Sequence, residues 1–122
     1  MKYLLDSDIV VSHLNGKRES IELLTELVES GLAISLMSYA EIYEGILFHY
    51  RPSNLETQFL TFLRWVRVLG FDEVMMRRFA VLRGRLRRNG TPLPDADLLI
   101  ATTALHHDLT LVTRNRRHFD RI

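Results

Sequence analysis

Two carboxylates, Asp6 and Asp8, stand at the end of an apolar run near the start of the chain, in the stretch YLLDSDIVV. One carboxylate at such a point is explained as a helix cap, because N-cap positions favour Asp. Two carboxylates separated only by Ser7 also suggest a metal site, since hard divalent cations take oxygen ligands. This pair therefore prompts a search of the remaining chain for acidic partners.

Later segments add polar residues at equivalent places in the pattern. Each of them ends an apolar run or stands at the start of a helical pattern. They are Glu41 after the run LAISLMS, Asp95 and Asp97 in PLPDADLL, and Thr113 and Asn115 in LTLVTRN. If these runs are strands of one sheet, side chains from the front, middle and end of the chain meet at one edge.

The apolar runs are short and continuous, which is typical of strands buried on both faces of a parallel sheet. We predict strands at residues 2–6, 32–38, 68–71 and 109–113. Apolar residues at helical spacing predict helices at 8–14, 21–28, 39–50, 55–66, 72–89 and 95–107, with a helical turn after the last strand. Strands that alternate with helices predict an α/β fold whose parallel sheet is covered on both faces.

In an open parallel sheet, ligands bind beyond the carboxyl ends of the strands, so Asp6, Glu41 and Asp97 are expected near one another. Two carboxylates about 4 Å apart repel by roughly 4 kcal/mol at an effective dielectric near 20. Three converging carboxylates therefore need a proton or a cation between them. Ligation by carboxylates alone favours Mg²⁺ or Mn²⁺ over zinc, and the absence of cysteine excludes zinc sites built on thiolates.

Three of these acids also have a structural explanation that involves no metal. Glu41 lies three residues after Ser38, which is expected to open the third helix, and the pair fits a capping box. Asp8 and Asp95 each fit an N-cap. Asp97 is harder to explain in this way, because it shares a helix face with apolar residues and is expected to point inward. Asp6 likewise continues a buried strand and has no evident capping role.

Length and composition fit a soluble protein of one domain spanning residues 1–122. Apolar residues make up 47% of the chain and charged residues 25%, which is ordinary for a globular domain. No apolar run approaches the roughly 18 residues of a membrane span, and no signal peptide is evident. We therefore expect a cytoplasmic protein with no membrane association.

The net charge of +1 hides an asymmetry between the two halves of the chain. Residues 64–122 carry twelve arginines and six carboxylates, whereas residues 1–63 are acidic. Arginine binds phosphate through two parallel hydrogen bonds, so this half is a candidate surface for a nucleic-acid backbone, although a solvated helix face explains it equally well. The candidate residues for this contact are Arg85, Arg88, Arg114 and Arg116.

Four segments together resemble the PIN-domain proteins, and most of all the VapC group of toxins from prokaryotic type II toxin–antitoxin pairs. They are YLLDSDIVV, SLMSYAEIYEGI, PLPDADLLIATTAL and LTLVTRNRRHF, in the family's order. The resemblance implies a PIN-like three-layer α/β/α sandwich with a central, mainly parallel sheet of four to five strands. It also implies a Mg²⁺- or Mn²⁺-dependent endoribonuclease that acts on RNA, forms a homodimer and is held inactive by a cognate antitoxin.

Carried over position by position, the family's acidic residues fall on Asp6, Glu41 and Asp97. The resemblance implies that these three are the metal ligands and catalytic residues, with Glu41 as third ligand or water-orienting base. Asn115 stands where the family often has Asp, which weakens the case for a second metal. The remaining auxiliary positions are Ser7, Asp8, Asp95 and Thr113.

Two other functions remain open from the sequence. DSDIV also fits the acidic motif of haloacid-dehalogenase-type phosphatases, but no lysine follows Lys17 and the chain leaves little room for their cap domain. The second alternative is a non-catalytic PIN-fold module that binds RNA or a partner protein. The five histidines show no metal-ligand spacing, so we interpret them as surface or core residues.

Overall fold

The computed structural model describes residues 1–48, 54–120 and 122. The predicted end of the third helix at Arg51 and Pro52 lies outside the described residues, as do His49 and Arg121. No helix within the described ranges is both long and apolar enough to cross a bilayer.

Among the described residues, four short strands form one parallel sheet in the order β3-β2-β1-β4. The strands are β1 (Tyr3–Leu5), β2 (Leu32–Ser35), β3 (Val66–Leu69) and β4 (Thr110–Val112). In the central register, Leu4 lies opposite Ala33 on one side and Leu111 on the other. Because every strand runs the same way, all four carboxyl ends open onto one edge of the sheet.

In the described part of the chain, seven helices connect and cover the strands. They are α1 (Ser7–Leu14), α2 (Arg18–Leu27), α3 (Leu36–Phe48), α4 (Leu55–Phe62), α5 (Glu73–Arg88), α6 (Asp95–His106) and α7 (Arg116–Phe119). Turns of 3₁₀ helix at Val28–Ser30 and Leu63–Trp65 lead into β2 and β3. The predicted helices are present, but the prediction that the fourth helix continues to residue 66 was wrong, because the 3₁₀ turn intervenes and Val66 begins β3.

The two faces of the sheet bury different sets of side chains. Leu4 and Leu5 are both fully buried although they point to opposite faces, as neighbouring strand residues do. Leu5 belongs to a core formed with α1 to α4, which includes Ile9 and Phe59. Leu4 packs in a second core that includes Ile100 of α6. The predicted three-layer α/β/α architecture is therefore confirmed, with four strands.

The predicted boundaries of two strands differ from the structure by more than one residue. β2 ends at Ser35 rather than at residue 38, because Ser35 Oγ accepts a hydrogen bond from the Met37 backbone N at 3.1 Å and α3 begins at once. The apolar residues after Ser35 belong to the first turn of a helix, and their hydrophobicity alone did not reveal the change. β3 also lies earlier than the predicted 68–71, at Val66–Leu69.

Candidate active site

Asp6 is held at the carboxyl end of β1 by two hydrogen bonds. Its Oδ1 accepts from the Ser7 backbone N and its Oδ2 from Thr113 Oγ1, both at 2.7 Å. The Asp6 backbone N donates to Val112 O at 2.9 Å, which continues the pairing of β1 with β4 and sets Thr113 beside the carboxylate. Asp6 is also the N-cap of α1, so the expectation that it has no capping role was wrong, and so was the interpretation of Asp8 as the N-cap.

Ser7 joins α1 to the second acidic segment. Its Oγ donates to Glu41 Oε1 at 2.7 Å, across 34 residues of sequence. Ser38 lies inside α3, buried, and its hydroxyl has no hydrogen-bond partner among the described residues. The capping-box interpretation of Glu41 was therefore wrong, because the helix starts before Ser38 and the Glu41 carboxylate turns toward α1.

Asp8 lies one position further into α1 and faces the loop after β4. Its Oδ2 accepts from the Arg114 backbone N at 3.1 Å. Its Oδ1 is buried without a hydrogen-bond partner in the described part of the chain. A buried, unsatisfied carboxylate oxygen is costly, so this atom is available to a cation or a water molecule.

The two acids of α6 have different surroundings. Asp97 Oδ2 lies 2.6 Å from Nδ1 of His118 in α7, and both side chains are partly buried. Asp95 is exposed and binds Arg83 of α5 through two hydrogen bonds, of 2.7 and 3.2 Å. The N-cap of α6 is Pro94, so the capping interpretation of Asp95 was wrong. We call Asp6, Asp8, Glu41 and Asp97 the acidic cluster. No described contact joins Asp95 to it.

Sequence reasoning missed His118. It was interpreted as an ordinary surface or core residue because its position bears no regular spacing to any acid. The contact arises only in three dimensions, when the short helix α7 lies against α6. The one available signal was its place five residues after Thr113, beyond the carboxyl end of a strand.

Burial and mutual repulsion change the acidity of this cluster. Asp6 is only 8% exposed, and its desolvation raises its pKa to about 6 against the lowering effect of the Thr113 hydrogen bond. The neighbouring carboxylates of Asp8 and Asp97 raise the pKa of Asp6 further. Burial also raises the pKa of Asp8. The ionised form of the cluster is therefore destabilised at neutral pH, and a nearby cation would stabilise it.

The donor set suits a hard divalent cation, although the site is not preformed. Across residues 1–48, 54–120 and 122, no three carboxylate or imidazole side chains already stand in a metal-binding arrangement. The carboxylates of Asp6, Glu41 and Asp97 already contact other side chains through one oxygen atom, and the partners are Thr113, Ser7 and His118, respectively. The chemistry of the oxygen donors and the orphaned Asp8 Oδ1 fit Mg²⁺ or Mn²⁺, provided that the side chains turn.

The predicted auxiliary and basic residues lie in different places. Asn115 donates its backbone N to Thr113 Oγ1 at 3.0 Å and supports the loop above Asp6. Arg114 lines a cleft beside Asp8 and Glu41. Arg85 lines a separate groove between α5 and α6, with exposed valines. No described contact joins the exposed Arg88 or Arg116 to the acidic cluster.

Comparison with known proteins is consistent with this geometry. A family model described as PIN domain matches residues 3–122. The chain is 30% identical over 121 residues to Ribonuclease VapC1 of Methanocaldococcus jannaschii, covering 99% of this chain and 81% of that protein. It is 26% identical over 122 residues to the tRNA(fMet)-specific endonuclease VapC of Shigella flexneri, covering 100% and 92%.

A solved complex has the same fold over the same length. The crystal structure of VapBC2 from Rickettsia felis, bound to a DNA fragment from their promoter, matches with a TM-score of 0.91 at 28% identity. That match covers 100% of this chain and 93% of the other. The chain therefore belongs to the PIN-domain family and, within it, to the VapC group.

Proposed function

We propose that this VapC-type protein is an endoribonuclease that requires Mg²⁺ or Mn²⁺ and is the toxin of a type II toxin–antitoxin pair. The observation that supports the proposal is that Asp6, Glu41 and Asp97, from the front, middle and back of the chain, are linked at one edge of the sheet: Asp97 raises the pKa of Asp6, and Ser7, next to Asp6, binds Glu41. Ser7, Thr113 and His118 hold these carboxylates, and Asp6 is buried although charged. Such an arrangement costs stability and is explained by chemistry on a phosphodiester.

Asp6 and Asp97 would hold the cation, directly or through water, and Glu41 would be the third ligand or the water-orienting base. When bound, the metal supplies charge stabilisation on the phosphoryl oxygens and makes water more acidic. Glu41 keeps one carboxylate oxygen on Ser7, so its other oxygen can accept a proton from the attacking water. His118 fixes the direction of the Asp97 carboxylate through its Nδ1.

The relatives support a protein partner for this chain. Solved relatives include VapBC complexes from Rickettsia felis and Salmonella typhimurium, and we propose that a cognate antitoxin likewise binds and silences this chain. We also propose that the protein acts as a homodimer in the cytoplasm, where its RNA substrates are. The Shigella flexneri relative is named for tRNA(fMet), so initiator tRNA is the first substrate to assay.

The proposal is tested by mapping RNA ends after incubation with the purified native chain and with its Asp97→Asn and Asp95→Asn variants. We expect new 5′-phosphate ends with the native chain and with Asp95→Asn, in Mg²⁺ or Mn²⁺ only, and none with Asp97→Asn. Cutting that survives a chelator, or that Asp97→Asn performs at the native rate, would contradict the mechanism. RNA binding without any cutting would favour the non-catalytic module.

A further inference from the structure

A cleft of about 380 Å³ lies directly beside the acidic cluster, between α1, α3 and the loop after β4. This volume falls within the range of about 300–1,000 Å³ that is typical of small-ligand sites. Its polar and charged lining side chains include Ser7, Asp8, Asn15, Lys17, Glu41 and Arg114. We call it the Lys17 cleft.

The Lys17 cleft is lined by both acidic and basic residues. Asp8 and Glu41 are the acidic ones and belong to the candidate metal centre. Lys17 and Arg114, both exposed, supply the positive charge of the cleft. A ligand that fits this lining carries a group for the metal centre and a further anionic group for the cations.

Two backbone contacts fix the basic residues in place. The Arg114 backbone N donates to Asp8 Oδ2 at 3.1 Å, which ties the loop after β4 to α1. The Lys17 backbone N donates to Ser12 O at 3.1 Å, which closes the turn between α1 and α2. The Lys17 ammonium makes no ion pair among the described residues, so its charge is free to meet a ligand. Asn15, from the same turn, adds an amide that can hydrogen-bond a base edge.

From this arrangement we infer that the Lys17 cleft holds the nucleotide next to the scissile phosphate, with Lys17 and Arg114 contacting the following phosphate. The inference rests on the proposed ribonuclease function and adds the path of the RNA across the surface. Single-stranded RNA suits the cleft, because its unstacked bases can turn into a pocket and be read by hydrogen bonds. The helix face that carries Arg85 lies on another groove and is not required for this contact.

The chain offers a matched control, because it contains only two lysines. Lys2 precedes β1 at the opposite edge of the sheet, where its Nζ lies over the Tyr3 ring. Lys17→Gln and Lys2→Gln therefore remove the same charge, one from the lining of the Lys17 cleft and one from outside it. Lys17→Arg keeps the charge in the cleft and serves as the conservative variant.

The experiment measures binding of a fluorescein-labelled single-stranded oligoribonucleotide in Mg²⁺, with Asp6→Asn present in every chain to prevent cutting. Fluorescence anisotropy is recorded between about 50 and 200 mM salt. We expect Lys17→Gln to weaken binding about three- to tenfold and to make the slope of log affinity against log salt shallower by about 0.7, the value for one phosphate contact on a single strand. Lys2→Gln and Lys17→Arg should match the parent chain.

A second readout uses chains with the native Asp6. We expect Lys17→Gln to raise KM for RNA cutting while kcat stays near the native value, because a phosphate contact away from the reacting atoms contributes uniform binding. Thermal unfolding of each variant confirms that the fold is intact.

The outcomes separate this inference from the proposed function. If the native chain cuts RNA but Lys17→Gln and Lys2→Gln have equal salt slopes and equal KM values, the Lys17 cleft is not the subsite and only this inference fails. If the native chain neither cuts RNA in Mg²⁺ or Mn²⁺ nor binds it as Asp6→Asn, the proposed function fails and the inference fails with it.

Discussion

The chain contains two Asp-x-Asp stretches, at residues 6–8 and 95–97, and each stands at the start of a helix. In the first stretch both carboxylates lie in the acidic cluster, whereas in the second only Asp97 does. Asp6 precedes its helix with an extended backbone, at φ −71° and ψ 157°. Asp95 is already helical, so it points about 200° away from Asp97 around the helix axis. The same motif therefore delivers two carboxylates or one, depending on where the helix begins.

Asp6 and Asp95, the first aspartate of each stretch, also differ in their surroundings. Burial raises the pKa of Asp6 to about 6. The Arg83 guanidinium, through its hydrogen bonds and charge, lowers the pKa of the exposed Asp95. The negative charge of Asp6 is therefore destabilised inside the candidate site, whereas the negative charge of Asp95 is stabilised outside it. Ionised carboxylates that destabilise the fold at neutral pH are typical of functional sites. A functional role therefore cannot be assigned to a local motif without knowing the residues that surround it in the structure.

The largest expected effect separates these two residues by activity. Asp6→Asn should lower the rate of RNA cutting by roughly 10³-fold or more, because a bound metal supplies several kcal/mol of charge stabilisation. Asp95→Asn should stay near the native rate. Both rates are measured on one labelled RNA at saturating Mn²⁺. Equal losses of cutting rate in the two variants would mean that the structural difference between the two stretches does not affect activity.

The next effect concerns stability against pH in the metal-free protein. The folded chain binds a proton at Asp6 more tightly than the unfolded chain does. The contribution of Asp6 is therefore fully present below about pH 3.8 and is lost as pH rises through about 6. We expect the free energy of unfolding to fall by up to about 3 kcal/mol across this range from Asp6 alone.

Urea unfolding at a series of pH values, in the presence of a chelator, measures how the free energy of unfolding changes with pH. Asp6→Asn should remove most of this pH dependence. This variant should also be more stable than the native chain at neutral pH, since Asn still caps α1. Asp95→Asn provides the control, and its slope should not flatten. A native chain that gains stability as pH rises from 4 to 6 would oppose the raised pKa of Asp6.

A smaller effect is expected at His118. His118→Ala should weaken Mn²⁺ binding by about 10- to 100-fold, the usual cost of losing a group that orients a metal ligand. Isothermal titration calorimetry measures the affinity without requiring activity. His107→Ala is the matched control, because His107 is exposed at the end of α6. Identical Mn²⁺ affinities for the two variants would remove His118 from the site.

The smallest effect is expected at Ser7. Ser7→Ala removes the hydrogen bond to Glu41 Oε1 but keeps the backbone contact to Asp6. One partly buried hydrogen bond is worth about 1 kcal/mol, so cutting should slow by no more than about tenfold. Glu41→Gln provides the comparison and should lose far more if the carboxylate orients water. Steady-state rates of the two variants on the same RNA decide this.

The general layout was predictable because strand ends and parallel topology bring Asp6, Glu41 and Asp97 to one edge. Helix starts were less predictable, as at Leu36, where apolar residues pass from strand into helix without a polar break. Contacts between distant surface elements were not predictable at all. The pairs Asp97–His118 and Asp95–Arg83 depend on how α7 and α5 pack against α6, and no local pattern records that packing.

The proposed site requires that carboxylates distant in sequence share one divalent cation. Anomalous scattering from crystals of the native chain soaked in Mn²⁺ shows directly whether they do. We expect a strong peak in coordinating contact with the carboxylates of Asp6 and Asp97, and no peak at Asp95. A peak held by Asp95 instead, or an acidic cluster that stays free of metal at saturating Mn²⁺, would rule this site out.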